Sequence, residues 1–197
     1  MSRIVAIYGS PRRNGNTSAL LAEAVKGARS CGAIVEEIVL RDKKISPCLE
    51  IYECKKSGEC AIKDDFQKIR DAILGADAVM IASPVFFYTV SAHVKIFMDR
   101  FQSLWVKKYW IGDHDPDKIE KKRPGLLICA GATRGKRLFE GILLTFKYFF
   151  DTFDAYLWDS ILCRGLDFED DAKKNPQYLD QARDAGRRLA EEISHGQ

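Results

Sequence analysis

The junction at residues 4–25 constrains the fold more than any other part of the chain. An apolar run, IVAIYG, breaks into SPRRNGNTS and resumes as ALLAEAV at helical spacing. This pattern predicts a buried strand ending at Gly9, a polar loop, and a helix starting near Thr17 or Ser18. The first-turn N–H groups of a helix have no partner within it, and its dipole adds partial positive charge there. Such a loop suits a phosphate. Ser10, Thr17 and Ser18 add hydroxyls, while Arg12 and Arg13 add cations. An ordinary capped turn would use similar residues. This loop, however, follows the first strand and is longer and more polar than capping requires.

Apolar runs alternate with helix-period segments along the rest of the chain. Residues 33–40 read as a second, less buried strand, and 41–65 as an irregular stretch containing cysteines. A helix starts near Phe66 behind Asp64 and Asp65, with Phe66, Ile69 and Ile73 on one stripe. The run AVMIASPV at 78–85 has no polar alternation until Ser83, as expected of a central parallel strand covered on both faces. One helix then carries Val94, Phe97, Phe101 and Leu104. GLLICAG at 125–131 is another buried strand, followed by a helix through Phe149 and a last strand at 156–163. Asn175 is the expected N-cap of a closing helix with Pro176 at its first position and Leu179, Ala182, Gly186, Leu189 and Ile193 inward.

Five strands alternating with helices predict an α/β, flavodoxin-like three-layer sandwich. Its parallel sheet has the order 2-1-3-4-5, with helices on both faces. Residues 1–197 read as one domain, with a cysteine-containing loop at about 41–65 and an insertion at about 105–123. In this topology ligands bind beyond the carboxyl ends of the strands. The ends expected to meet there are GSPRRNGNTS, SPVFFYTVS and AGATRGKR. Pro84 shapes the second end, and Phe86, Phe87 and Tyr88 offer stacking surface for a planar, electron-poor ring such as isoalloxazine. Clustered aromatics that merely pack a core or subunit contact are the bland alternative. The third end is small and amide-rich at Ala130 and Gly131, then basic at Arg134, Lys136 and Arg137. A solvated turn explains it as readily.

Taken together, GSPRRNGNTSALL, SPVFFYTVSAHVKIFMDR and the AGA loop resemble the NADPH-dependent FMN reductase family. The resemblance is strongest to its iron–sulfur flavoprotein branch and covers residues 3–144. It implies that Ser10, Arg12, Asn16, Thr17 and Ser18 hold the phosphate of FMN. Pro84, Val85, Phe86, Phe87 and Tyr88 contact the ring and ribityl chain, and Ala130, Gly131 and Thr133 lie near the ring's polar edge. No side chain is assigned a catalytic role, because the flavin carries the hydride chemistry. Classical flavodoxins, strongly acidic and with a differently spaced loop, are less similar.

Iron–sulfur flavoproteins carry C-x2-C-x2-C-x4–7-C for a [4Fe–4S] cluster. Here the resemblance sets Cys48, Cys54 and Cys60 on the first, third and fourth positions and Ile51 on the second. Three thiolates leave open a cluster with one free iron, a three-iron cluster, or no metal, and the missing ligand favours the last. No C-x2-C pair remains for zinc. Cys129 and Cys163 read as small core residues, and Cys31 as a helix-end residue without a role. His93 reads as a packing or surface residue. Trp105, Tyr109 and Trp110 read as cover for a second subunit or for the flavin.

A net charge of +3 gives no general field for nucleic acid or anionic membranes, and no apolar segment is long enough to span a bilayer. The chain reads as cytoplasmic, with its six cysteines reduced. The expected activity passes electrons from NADPH or NADH through FMN to free flavin, a quinone, a metal centre or a protein acceptor. A homodimer or homotetramer is expected. An electron-transfer protein and a non-catalytic binding module are the alternatives.

Overall fold

The computed structural model describes residues 1–112 and 122–195. Five parallel strands form its sheet: β1 (Arg3–Tyr8), β2 (Ile34–Val39), β3 (Ala78–Pro84), β4 (Arg123–Gly131) and β5 (Ala155–Arg164). Their spatial order is β2-β1-β3-β4-β5, the flavodoxin-like arrangement. Strand side chains alternate between faces, which explains why the central runs are apolar throughout. Val5 and Ile7 of β1 join one core, while Ile4, Ala6 and Tyr8 join the other.

Helices α1 (Asn16–Ser30) and α8 (Pro176–His195) cover the second of these faces. The first is covered by α3 (Phe66–Leu74), α4 (Ala92–Asp99), α5 (Gln102–Val106) and α6 (Glu140–Asp151). Its centre is a set of edge-to-face phenylalanines, with Phe101 about 5.0 Å from both Phe97 and Phe149. Each such pair contributes about 0.5–1.5 kcal/mol beyond the area it buries. Short helices α2 (Cys54–Ser57) and α7 (Asp171–Lys174) lie in the connections.

Five expectations shift in detail. Helix α1 starts one residue early, at Asn16. The cysteine stretch is not wholly irregular, because α2 forms there and closes on Gly58 at φ 72°. The helix expected to run through Val94 and Leu104 divides between α4 and α5, with an N–H of Phe101 returning to the Met98 carbonyl. All four apolar residues of that stripe remain buried, and the break turns Arg100 inward. Asn175 is not a side-chain cap. Its amide donates to the Asp171 carbonyl and its oxygen accepts from the Gln177 side chain. Leu179 is half-buried rather than fully inward. Of the expected insertion, residues 113–121 lie outside the described residues. Among the described residues no helix is long and apolar enough to cross a membrane.

Candidate functional site

Parallel pairing brings the carboxyl ends of β1, β3 and β4 to one edge, with Tyr8 opposite Ala82 and Pro84 opposite Ala130. Local bonds then tie the three loops together. Gly9 N–H donates to the Ala82 carbonyl at 2.8 Å, and Val85 N–H to Ala130 at 2.9 Å. A side chain at Gly9 is excluded, since its Cβ would stand 2.1 Å from Val94 Cγ2 and 2.6 Å from the Ala82 oxygen.

Ser83 and Ser91 lock this junction, and sequence reasoning gave neither a role. Both are fully buried. Ser91 Oγ donates to the Gly9 carbonyl at 2.5 Å and accepts from Val94 N–H. Ser91 N–H donates to Ser83 Oγ at 3.0 Å. A serine three residues before a buried valine at a helix start was the available signal.

Helix α1 opens differently. Its N-cap is Gly15, without a side-chain cap, and its first turn holds no acidic residue. Ala19 N–H is bonded to the Gly15 carbonyl, so the amides before it face the loop without intrahelical partners. Ser10 Oγ accepts from Arg12 N–H at 3.0 Å, and Ser18 Oγ donates to the Arg12 carbonyl at 3.3 Å, which shapes the loop. Thr17 is buried as a residue, while its hydroxyl, without a hydrogen-bond partner among the described residues, stays open at the loop. Arg12 and Arg13 are exposed at the rim, with Arg13 paired to Asp42. Asn16 is held differently from the rest. Its amide donates to the Phe168 carbonyl and its oxygen accepts from Ala172 N–H, so its side chain braces the 168–172 turn. What Asn16 can present to an anion is its backbone N–H.

The second loop is a tight reversal at 86–89, where Phe86 and Thr89 exchange N–H···O bonds of 2.9 and 3.0 Å. Phe87 and Tyr88 both have positive φ, 49° and 60°, as in a type I′ turn, which ordinarily takes Gly or Asn. The left-handed region costs each aromatic on the order of 1 kcal/mol. Phe87 is 100% exposed. Sequence spacing does not reveal this strain, because it comes from closing the loop between β3 and α4. A Cβ at Gly135 would stand 3.2 Å from the Tyr88 hydroxyl, and one at Gly141 3.1 Å from the Tyr88 carbonyl. The second and third loops are therefore in contact around Tyr88. Pro84 and Val85 are half-buried, Ala130 and Gly131 buried, and Thr133 exposed. Arg137 pairs with Glu140, whereas the Arg134 guanidinium packs against Gly165. His93 is half-buried on α4.

The three cysteines of the loop stand elsewhere. Cys48, Cys54 and Cys60 line a cavity of about 770 Å³ between the cysteine loop and the outer faces of α4, α5 and α6. Neither the α1 loop nor residues 84–88 contribute to it. Burial, then the charges of Cys60 and Cys48, push the Cys54 thiol up. Trp105 and Trp110 line the same cavity and pack on each other, and Tyr109 packs on Trp105. These aromatics thus cover the chain's own cysteine loop.

The expected metal ligands Cys48, Cys54 and Cys60 all line this one cavity. Among the described residues, no three His, Cys, Asp or Glu side chains are placed to hold a metal ion. Ile51 supplies no donor, and Cys60 Sγ accepts from Arg100 Nε at 3.3 Å. Cys129 and Cys163 are buried as expected. Burial pushes the Cys163 thiol up to about 12.

Comparison with known proteins agrees with this architecture. The sequence pattern of the NADPH-dependent FMN reductase family matches residues 2–140. An iron–sulfur flavoprotein of Methanocaldococcus jannaschii is 40% identical over 102 residues, 52% of this chain and 53% of that protein. The alignment therefore spans about half the length of that relative. One from Archaeoglobus fulgidus is 37% identical over 145 residues, 73% of this chain and 70% of that protein. A Bacillus anthracis azoreductase structure superposes with a TM-score of 0.72 over 95% of this chain and all of that one, at 14% identity. That last likeness is one of fold.

Proposed function

The chain belongs to the NADPH-dependent FMN reductase family, and from that premise we propose that it is an FMN-binding oxidoreductase. It draws electrons from a reduced nicotinamide and delivers them to a second acceptor. The observation that carries this reading is the unpartnered Thr17 hydroxyl beside the uncapped start of α1, at the edge where three strand ends meet. A free hydroxyl beside a turn of open amides is a ready anion site, and a phosphate monoester can accept from both.

Ser10, Thr17 and Ser18, with the Arg12 cation and the Asn16 N–H, would hold the phosphate. Pro84, Val85, Phe86, Phe87 and Tyr88 would flank the ring, and the exposed aromatics supply stacking surface. Ala130, Gly131 and Thr133 would approach its polar edge. Ser83 and Ser91 are positioning residues, because they hold the first and second loops in one register. When bound, FMN supplies the hydride and electron chemistry. The protein orients it, and no side chain here is required to transfer a proton.

Absorption spectroscopy tests the reading. Protein purified or reconstituted with FMN should show two flavin bands that bleach anaerobically on addition of NADPH or NADH. A chain that retains no FMN, or a bound flavin that neither nucleotide reduces, would sink it.

A further inference from the structure

We infer that this chain holds no iron–sulfur cluster, and that Arg100 from within and Lys55 from outside fix its cysteine loop instead. The inference deepens the flavin reading and rests on it. With no metal centre on the loop, electrons leave from the flavin itself and not through the cysteines.

The donor set is the first ground. Ile51, 52% exposed, stands where the family spacing places a thiolate, and among the described residues no group of three or more His, Cys, Asp or Glu is placed to hold a metal ion. Four thiolates are the usual complement of a cluster.

The second ground is that the loop is already held. The Arg100 side chain is fully buried. Its guanidinium donates to the Ser46 carbonyl at 2.9 Å, Cys60 Sγ at 3.3 Å, the Ile62 carbonyl at 2.9 Å and Asp64 at 2.7 Å. It also lies 4.8 Å from the Phe66 ring centroid. These partners stand at both ends of the loop, so one planar cation closes it as a cross-link would. Burial opposes the Asp64 charge, but Arg100 and the Ser46 and Phe66 N–H groups hold its carboxyl below the usual range. On the outer side Lys55 Nζ lies 4.0 Å from the Tyr52 ring and 4.8 Å from the Trp110 ring. That contact ties the loop to the turn at Lys107–Ile111. Glu50 and Tyr52, flanking Ile51, keep positive φ of 50° and 66°. The turn that would present a ligand survives, held by its own side chains.

The test is composition. The full chain is produced with iron and sulfur supplied, purified anaerobically, and assayed for iron, acid-labile sulfide and FMN on one sample. Flavin with only trace iron is expected. About four irons and four sulfides per chain, with a broad absorption shoulder bleached by dithionite, would overturn the inference while leaving the flavin reading intact. Loss of flavin would instead count against the flavin reading. The anchoring is tested by native thiol labelling of Cys54, resolved by mass spectrometry, in Lys55→Ala and Arg100→Lys. Labelling should quicken about two- to five-fold in Lys55→Ala, with FMN content unchanged, and more in Arg100→Lys. Lys55 is exposed, so its variant decides the matter if Arg100→Lys does not fold. Unchanged labelling in Lys55→Ala would overturn the outer anchor.

Discussion

The start of α1 and the loop at 41–65 carry the same kinds of group: hydroxyls or thiols, cations and free backbone in a tight turn. They differ in what those groups touch. At α1 the cap is a bare glycine, the Thr17 hydroxyl has no partner among the described residues, and the facing aromatics are exposed. In the cysteine loop the cation is buried and bonded to four partners, and Lys55 is held between two rings. A polar cluster whose groups remain open is a site for an external ligand. One whose groups satisfy each other is a fastening, whatever chemistry its residue types suggest.

That contrast can be broken in four places. The largest effect is expected from Arg100→Leu, which leaves Asp64 without its buried partner and unfastens the loop. Chemical denaturation should show a loss of about 3–5 kcal/mol. A loss below about 1 kcal/mol would mean that the loop is held by other means. Next, Thr17→Ala with Ser18→Ala removes two hydrogen bonds to a charged group, each contributing about 1.5–3 kcal/mol. FMN affinity measured by titration should fall roughly 100-fold or more, with little change in the stability of the apoprotein. Equal affinity would remove the phosphate assignment.

Acid should loosen the fastening. The folded-state pKa of Asp64 is depressed below its ordinary value of 3.8, so its ion pair stabilises the fold above that pH. The contribution is lost as pH falls through the depressed value. Urea midpoints of the wild type and Asp64→Asn should therefore converge as pH drops below 3.8; a constant gap would contradict the pairing. The smallest change is expected from Phe87→Gly. Relief of the positive φ should stabilise the apoprotein by about 1 kcal/mol while weakening flavin retention. Destabilisation would show that the aromatic already packs against something in the free chain.

Much of the fold was legible because it rests on periodicity. The apolar runs of β1, β3 and β4 reveal burial on both faces, and the stripe Phe66, Ile69 and Ile73 reveals a helix. The break between α4 and α5 was hidden, since the stripe through Phe101 continues without interruption. The helix turns there because Arg100 has partners forty or more residues away, at Cys60 and Ser46. The roles of Ser83 and Ser91 were hidden for the same reason: Ser91 Oγ reaches the Gly9 carbonyl, which only the β1–β3 pairing brings near, and Ser83 Oγ accepts from Ser91 N–H.

The sequence by itself determined the strand order, the loop at the start of α1 and the family to which they point, because alternation, spacing and glycine placement are local properties. It also determined that one cluster ligand is absent, since Ile51 has no lone pair to give. Only the tertiary structure decided which polar groups stay open. Whether Thr17 is left without a partner, Asn16 is engaged by the 168–172 turn, or Cys60 faces a guanidinium depends on segments far apart in the chain. The physical reason is that hydrogen-bond satisfaction is settled by packing, and no spacing rule records it.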